Sequence, residues 1–238
     1  SADLTIMEEG NEFVKRFTSG ELKDRPMFTS CCPGWVRFIK SQFPHLVKYL
    51  SSAKSPQQMF GAVMKTYFAE KLGVSPEKIY TVSVMPCAAK KAEREMDLYY
   101  EEYAGHDIDA VITTRELIRM IRSAHISPQT LVDVESDRPM HEGTGAGVIF
   151  GATGGVMEAA LRTAYAFITG QQPPEALLDL QPVRGYDGIR EASLDINGMT
   201  VNVAVVYGTA NARNFLSRMK ESGKQYHFVE VMACPGGC

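Results

Sequence analysis

The chain has 238 residues, of which 45% are hydrophobic and 22% charged, and it carries a net charge of −3. That is apolar material enough for one large domain or two lobes without disulfides, and the mild acidity excludes the basic face a nucleic-acid binder needs. Apolar runs such as Val201–Val206 are too short to span a bilayer. The opening Ser1-Ala-Asp-Leu-Thr has neither the basic nor the apolar region of a signal peptide, so a cytoplasmic location is expected, with a periplasmic one left open.

Met7–Thr18 reads as an amphipathic helix, with Phe13, Val14 and Phe17 on one side and Glu8, Glu9 and Glu12 near its start. Pro26-Met-Phe-Thr is a short extended entry to Cys31-Cys32, and Pro33–Tyr49 is helical with an interruption at Pro44. Ser55-Pro56 is a helix start, Ser as N-cap and Pro in the first turn, and Gly73 ends that helix. Ile79–Val84 is β-rich and delivers Met85-Pro86-Cys87, after which Ala88–Met96 is helical. Ile108–Thr113 reads as a strand, Thr114–Ser123 as a helix and Ser127–Glu142 as irregular. The glycine-rich Gly143–Gly155 opens a helix to about Ile168. Ala192–Ile196 and Thr200–Tyr207 pair as a hairpin around Asn197-Gly198. Ala210–Ser222 is a helix, and His227–Met232 a final strand running toward Cys234. Strands alternating with helices argue an α/β fold with mostly parallel sheets, in which ligands gather at the carboxyl ends of strands.

Cysteine is the informative residue. Cys31, Cys32, Cys87, Cys234 and Cys238 are odd in number and two are adjacent, which suits a disulfide framework poorly and a metal site or catalysis better. Structural zinc sites use two close ligand pairs, and only Cys234-Pro-Gly-Gly-Cys238 has that spacing. An iron–sulfur cluster can draw thiolates from scattered loops and is favoured over zinc. The plain alternative is a set of buried core cysteines. Pro or Gly in the turns that carry the cysteines fixes the backbone and lets it approach a metal, and Gly236 and Gly237 would offer N–H groups to cluster sulfurs.

Three segments carry a family resemblance: Thr29-Ser-Cys-Cys-Pro-Gly-Trp35, Met85-Pro-Cys-Ala-Ala-Lys-Lys-Ala-Glu93 and Glu230-Val-Met-Ala-Cys-Pro-Gly-Gly-Cys238. They resemble the three signature motifs of [FeFe]-hydrogenases, in order. Leu50-Ser-Ser-Ala-Lys-Ser-Pro-Gln-Gln58, Thr113-Thr-Arg-Glu-Leu117 and Ile149-Phe-Gly-Ala-Thr-Gly-Gly-Val-Met-Glu158 are similar as well. The resemblance implies reversible 2H⁺ + 2e⁻ ⇌ H2 at an H-cluster. Cys32, Cys87, Cys234 and Cys238 would ligate its [4Fe–4S] part, and Cys238 would bridge to a di-iron subsite carrying CO, cyanide and azadithiolate. Cys31 would be the proton carrier rather than a ligand, served by Glu9, Ser51 and Glu12. Glu9 and Glu12 share a helix face, although acidic residues in a first turn are ordinarily solvated.

By the same resemblance Lys90 hydrogen-bonds a cyanide, where the plain alternative is a surface lysine beside Lys91. Met85 and Met232 pack on the di-iron subsite, or are ordinary core, and Gln57 and Phe150 line its pocket. Glu93 either pairs with a nearby cation or is solvated. The implied architecture is two lobes, about 1–105 with the C-terminal cysteine loop and about 106–230, with the cluster in the cleft between them. The implied redox partner is a ferredoxin. Segments that the family has before and after these motifs, or a separate small subunit, would complete the enzyme, since its upstream ferredoxin-like cysteines are not among the five.

Two rivals stand beside this reading. Gly143-Thr-Gly-Ala-Gly147 is glycine-rich but lacks a clean preceding strand and does not spell a dinucleotide-binding motif. A non-catalytic iron–sulfur relative, in cluster assembly or hydrogen sensing, shares the motifs but would not need Cys31, Glu9, Ser51 and Glu12 together.

Overall fold

A computed structural model of the chain describes residues 2–102, 104–139, 143–175, 177–183, 185 and 187–235, with the backbone alone at Lys220 and Ser222. In chain order the elements begin with helix α1 (Ala2–Thr18), strand β1 (Met27–Phe28) and helix α2 (Pro33–Gln42), then a 3-10 segment (Pro44–Tyr49). Helix α3 (Pro56–Val63) continues through a π-helical turn (Met64–Phe68) into α4 (Ala69–Leu72). Next come β2 (Val82–Met85), α5 (Ala89–Arg94), β3 (Tyr100–Glu101), β4 (Gly105–His106), β5 (Ala110–Thr113) and α6 (Thr114–Ser123). The remainder comprises α7 (Gly145–Ile149), α8 (Gly155–Thr169), β6 (Gln181–Pro182), β7 (Ile189–Ile196), β8 (Met199–Tyr207), α9 (Thr209–Ser222) and β9 (Phe228–Met232).

The chain divides into two compact units, Ser1–Ser55 with Gly143–Cys238, and Pro56–Glu142. This differs from the division near residue 105 expected from sequence. Strand pairing is the reason: β1 joins β9 across some two hundred residues, while β2 pairs with β5 inside the intervening segment.

The first unit is built on a five-stranded sheet in the order β1-β9-β8-β7-β6. Along β8 the side chains alternate between two cores, as the pleat requires. Val201, Val203 and Val205 pack with Phe13 of α1 and Met157, Leu161 and Ala164 of α8. Ala204 and Val206 pack with Trp35 and Ile39 of α2 and Phe215 and Leu216 of α9. Strand β9 splits the same way, Phe228 to one core, Val229 and Val231 to the other, so every residue of it is buried. Both faces of the sheet are therefore covered by helices.

The pairing is more mixed than the expected mostly parallel sheet. Strand β9 is parallel to β1 and β8, but β7–β8 and β6–β7 are antiparallel. The cause is the Asn197-Gly198 turn, with φ of 54° and 78°, which closes β7 onto β8 as a two-residue hairpin.

In the second unit β2 and β5 are parallel, with Val82 opposite Ala110 and Met85 opposite Thr113. The buried Lys65, on the π-helical turn, donates to the carbonyls of Ala104 (3.1 Å) and His106 (2.6 Å) and to Asp109 Oδ1 (2.7 Å). Gly61 is required beside it, because a Cβ there would lie 2.1 Å from the Asp107 carbonyl oxygen.

Candidate functional site

The loop after β1 is fastened on both sides. The Thr29 amide donates to the Val229 carbonyl (3.1 Å), its hydroxyl accepts from the Val231 amide (3.2 Å), and its carbonyl accepts from Trp35 Nε1 (3.0 Å). Cys31 and Cys32, both buried, follow directly. Cys32 is the N-cap residue of α2 with Pro33 next, so the Cys-Pro-Gly segment serves as a helix start. Cys32 Sγ accepts from the Ala233 amide at 3.4 Å. A Cβ on Gly34 would stand 2.8 Å from the Ala233 Cβ and 3.9 Å from Cys32 Sγ, so glycine is what allows this close approach. The turn that carries Cys234 thus lies against the turn that carries Cys32. Cys234 is exposed, whereas Cys238, Gly236 and Gly237 lie outside the described residues.

A chain of polar groups enters this loop from α1. Glu9 is 1% exposed, and its Oε2 has no hydrogen-bond partner among the described residues. Burial, above all, pushes its carboxyl up to about 8; hydrogen bonds from the Ser51 hydroxyl and the Ser30 amide pull it down, and the charges of Glu12 and Glu230 push it up. Ser51 Oγ donates to Glu12 Oε2 (2.8 Å), as does the Ser52 amide (2.8 Å). Glu12 in turn pairs with Arg16 one helical turn on, at 2.7 Å. Glu9, Ser51 and Glu12, singled out in the sequence, are therefore brought together beside Ser30, the residue before Cys31. Arg16 extends the set, and its i,i+4 spacing from Glu12 was the available signal.

In the second unit Cys87 is half-buried between β2 and α5. One turn on, Lys90 Nζ donates to both oxygens of Glu93 at 3.1 Å, and both residues are 3% exposed. The expected alternative of a surface lysine is corrected here, and so is a solvated Glu93: both side chains are buried in the pair they form. Gln57 Nε2 joins them, donating to Glu93 Oε2 (2.9 Å) and the Lys90 carbonyl (3.2 Å). Met85 is half-buried, and Met232 and Phe150 are buried in the first unit's core.

The family model described as "Iron only hydrogenase large subunit, C-terminal domain" matches residues 1–238. The chain belongs to this family. It is 50% identical over 237 residues to iron hydrogenase 1 of Clostridium pasteurianum, covering 100% of the chain and 40% of that protein. It is 48% identical to the periplasmic [Fe] hydrogenase large subunit of Nitratidesulfovibrio vulgaris, covering 100% of the chain and 56% of the relative. It is also 35% identical to the cytosolic Fe-S cluster assembly factor narfl of Xenopus tropicalis, covering 100% of the chain and 51% of that protein. The solved apo [FeFe]-hydrogenase HydA1 of Chlamydomonas reinhardtii superposes with a TM-score of 0.86 at 41% identity, covering 100% of this chain and 66% of that one. The chain thus spans about half the length of the curated relatives it matches.

For an iron-only hydrogenase domain the donor set is chemically apt. The described cysteines form no disulfide, soft thiolates suit iron–sulfur clusters, and a backbone N–H already points at Cys32 Sγ as it would at a ligating thiolate. Among the described residues no three His, Cys, Asp or Glu side chains gather closely enough to hold a metal ion. The fourth cysteine of the expected set, Cys238, lies outside them. No described helix is long and apolar enough to cross a membrane. The acid that sequence reading passed over is Glu230, fully buried on β9 and held by the amides of Gly154 and Met157.

Proposed function

We propose that this chain is the H-cluster domain of an [FeFe]-hydrogenase and carries out 2H⁺ + 2e⁻ ⇌ H2. The observation that carries the reading is the run Arg16–Glu12–Ser51–Glu9, which passes from half-buried to buried and ends on the loop of Cys31 and Cys32. In this reading Cys32, Cys87, Cys234 and Cys238 would be the thiolates that hold the cluster. Bound there, the H-cluster supplies the electron chemistry and the iron that takes up hydrogen.

The protein's own part is to hold and move protons. Ser51 has one hydroxyl proton, which lies toward Glu12 and can turn toward Glu9, so the hydroxyl serves both carboxyls in turn. Glu9, with its carboxyl pushed up to about 8, holds a proton at neutral pH while its neighbour Glu12 pairs with Arg16. A proton entering at Glu12 passes over Ser51 Oγ to Glu9, and Glu9 supplies Cys31, whose thiol would be the residue that exchanges protons with the H-cluster. The reverse sequence removes a proton. Lys90, held by Glu93 and Gln57, would offer its ammonium to a cyanide ligand, and Met85, Met232 and Phe150 would supply apolar surface around the di-iron subsite. A ferredoxin serves as redox partner in this reading.

The second reading is a non-catalytic iron–sulfur protein, favoured by the 35% identity to a cluster assembly factor. Infrared spectroscopy separates the two. The full-length protein carrying this chain, prepared anaerobically with the di-iron cofactor supplied, is expected to show CO and cyanide bands and to turn over H2. A folded, [4Fe–4S]-loaded sample without those bands sinks the hydrogenase reading. With Cys31→Ala the cluster is expected to assemble while turnover collapses; loss of cluster iron would make Cys31 a ligand instead.

A further inference from the structure

Residues 51–54 form no helix or strand, yet each of them is fastened. The Ser51 amide donates to the Phe28 carbonyl (2.7 Å) and the Ser52 amide to Glu12 Oε2 (2.8 Å). The Ala53 carbonyl accepts from Ser30 Oγ (2.9 Å), and the Lys54 carbonyl accepts from Thr5 Oγ1 (3.1 Å). Inside the loop the Ala53 amide donates to Ser51 Oγ at 3.2 Å. That bond fixes the oxygen of Ser51. With one lone pair held by an amide, the hydroxyl keeps a second lone pair and a single proton. The oxygen stays in place while the proton turns about it, and it lies on Glu12 Oε2, 2.8 Å away.

Thr5 belongs to the same face of α1 as the two carboxyls. Thr5, Glu9 and Glu12 stand at i, i+4 and i+7, one stripe of the helix. A threonine inside a helix commonly turns its hydroxyl back to the carbonyl four residues earlier. Thr18, Thr66, Thr163 and Thr169 do so here. Thr5, 1% exposed, instead donates out of its helix to Lys54, forty-nine residues on. Phe28 and Ser30 therefore tie the loop to the segment of the cysteines, while Glu12 and Thr5 tie it to the helix of the carboxyls, one at each end. A hydroxyl that serves groups on α1 has to be held in register with α1. Two ties set a register where one leaves a pivot.

We propose that Thr5 is a positioning residue of the proton relay: by holding the Lys54 carbonyl it keeps residues 51–54 closed, the Ala53 amide on Ser51 Oγ, and the Ser51 hydroxyl between Glu12 and Glu9. Thr5 itself passes no proton. That Ser51 moves protons rests on the relay reading, whereas its placement by Thr5 rests on the distances.

The test reads the Glu9 carboxyl by infrared spectroscopy in the full-length protein at about pH 6.5, where ordinary carboxyl groups are ionised and Glu9 is not. The band of protonated Glu9 is the one that Glu9→Gln removes, and Ser51→Ala gives its position without the serine. Thr5→Val keeps the shape of the side chain and deletes its donor. It is expected to move the Glu9 band most of the way to the Ser51→Ala position and to speed amide exchange over residues 52–54. Thr5→Ser, which keeps the hydroxyl, should leave both as in the unaltered protein. If Thr5 only stabilises α1, Thr5→Val lowers the melting temperature but leaves the Glu9 band in place, and the proposal is overturned. Unchanged exchange over residues 52–54 overturns it as well, and so does an equal band shift with Thr5→Ser, since the methyl group would then be responsible. Thr5→Ala takes the place of Thr5→Val, with the same expectations, if the valine variant does not fold. H2 turnover is measured separately: a preparation with these band shifts but no H2 fails as a hydrogenase and still upholds the placing of Ser51 by Thr5.

Discussion

A carboxyl group that is 1% exposed and has an oxygen without a donor is kept in the fold at a cost that depends on pH. For Glu9 the sign follows from its raised value. Between the ordinary 4.5 and about 8 the folded protein holds a proton that the unfolded chain has lost, so stability falls as pH rises through that window and levels off above it. Glu9→Gln removes the dependence. Its denaturant midpoint is expected to match the unaltered protein's near pH 5 and to exceed it above about pH 8, by an amount on the order of 3 kcal/mol. A midpoint difference that does not vary with pH would contradict the buried, protonated Glu9. Lys65 is the opposite case. Its ammonium satisfies two carbonyls and Asp109, whose carboxyl burial would raise but which Lys65 and Thr81 hold below the usual range. Lys65→Met leaves the two carbonyls without this donor and Asp109 with Thr81 alone, at a cost of about 3 kcal/mol, readable as a lowered urea midpoint at pH 7.

Helix ends are where local chemistry decides, and they are where the sequence was most legible. Thr113 and Glu116 form a reciprocal capping box at the start of α6. Glu116 accepts from Lys91 Nζ at 2.7 Å and from the Thr113 amide at 2.7 Å, which together with the Thr113 hydroxyl draw its carboxyl down to about 2. Thr113→Ala is expected to cost about 1 kcal/mol, seen as a lower thermal midpoint and faster amide exchange in α6. Gly73 at φ 65° ends α4 as the sequence predicts, and the Asn197-Gly198 hairpin stands in its expected place. What local patterns missed is set by tertiary contact. The glycine-rich Gly143–Gly155 leads into α8 as expected, but the short α7 within that stretch was not foreseen; the turn between them has Gly154 at φ +88° with its amide on Glu230. The π-helical turn Met64–Phe68 carries Lys65, whose partners lie some forty residues on. Glu230 itself was hidden by strand alternation. On a strand covered on both faces, no position is the solvent side, so a lone acid in Phe228–Met232 gives no periodic signal. The cysteines pointed to a metal by count and spacing, whereas Glu9, Ser51 and Glu12 stood out only through the family motifs, since spacing alone would have left two first-turn acids in water.

At the scale of the whole chain, the first unit is discontinuous in sequence, and that fixes what can fold with what. Strand β1 has only β9 as its neighbour within the five-stranded sheet, and α1 buries Phe13 against Met157, Leu161 and Phe228, all contributed after residue 143. The loop of Cys31 and Cys32 is tied by Thr29 to Val229 and Val231 and by Cys32 Sγ to Ala233. Residues 2–55 thus carry one side of two cores and half the hydrogen bonds of the cysteine loop, and nothing within them replaces the missing side. A helix of 17 residues isolated from its packing partners is marginal in water. A fragment ending at residue 142 is therefore expected to show α1 and β1 unprotected in hydrogen exchange. Supplying residues 143–238 as a second polypeptide should return protection to both, with Trp35 fluorescence shifting to that of a buried indole. Protection of α1 in the fragment alone would mean that its stability comes from within residues 2–142, and that the pairing of β1 with β9 is not what holds the cysteine loop in place.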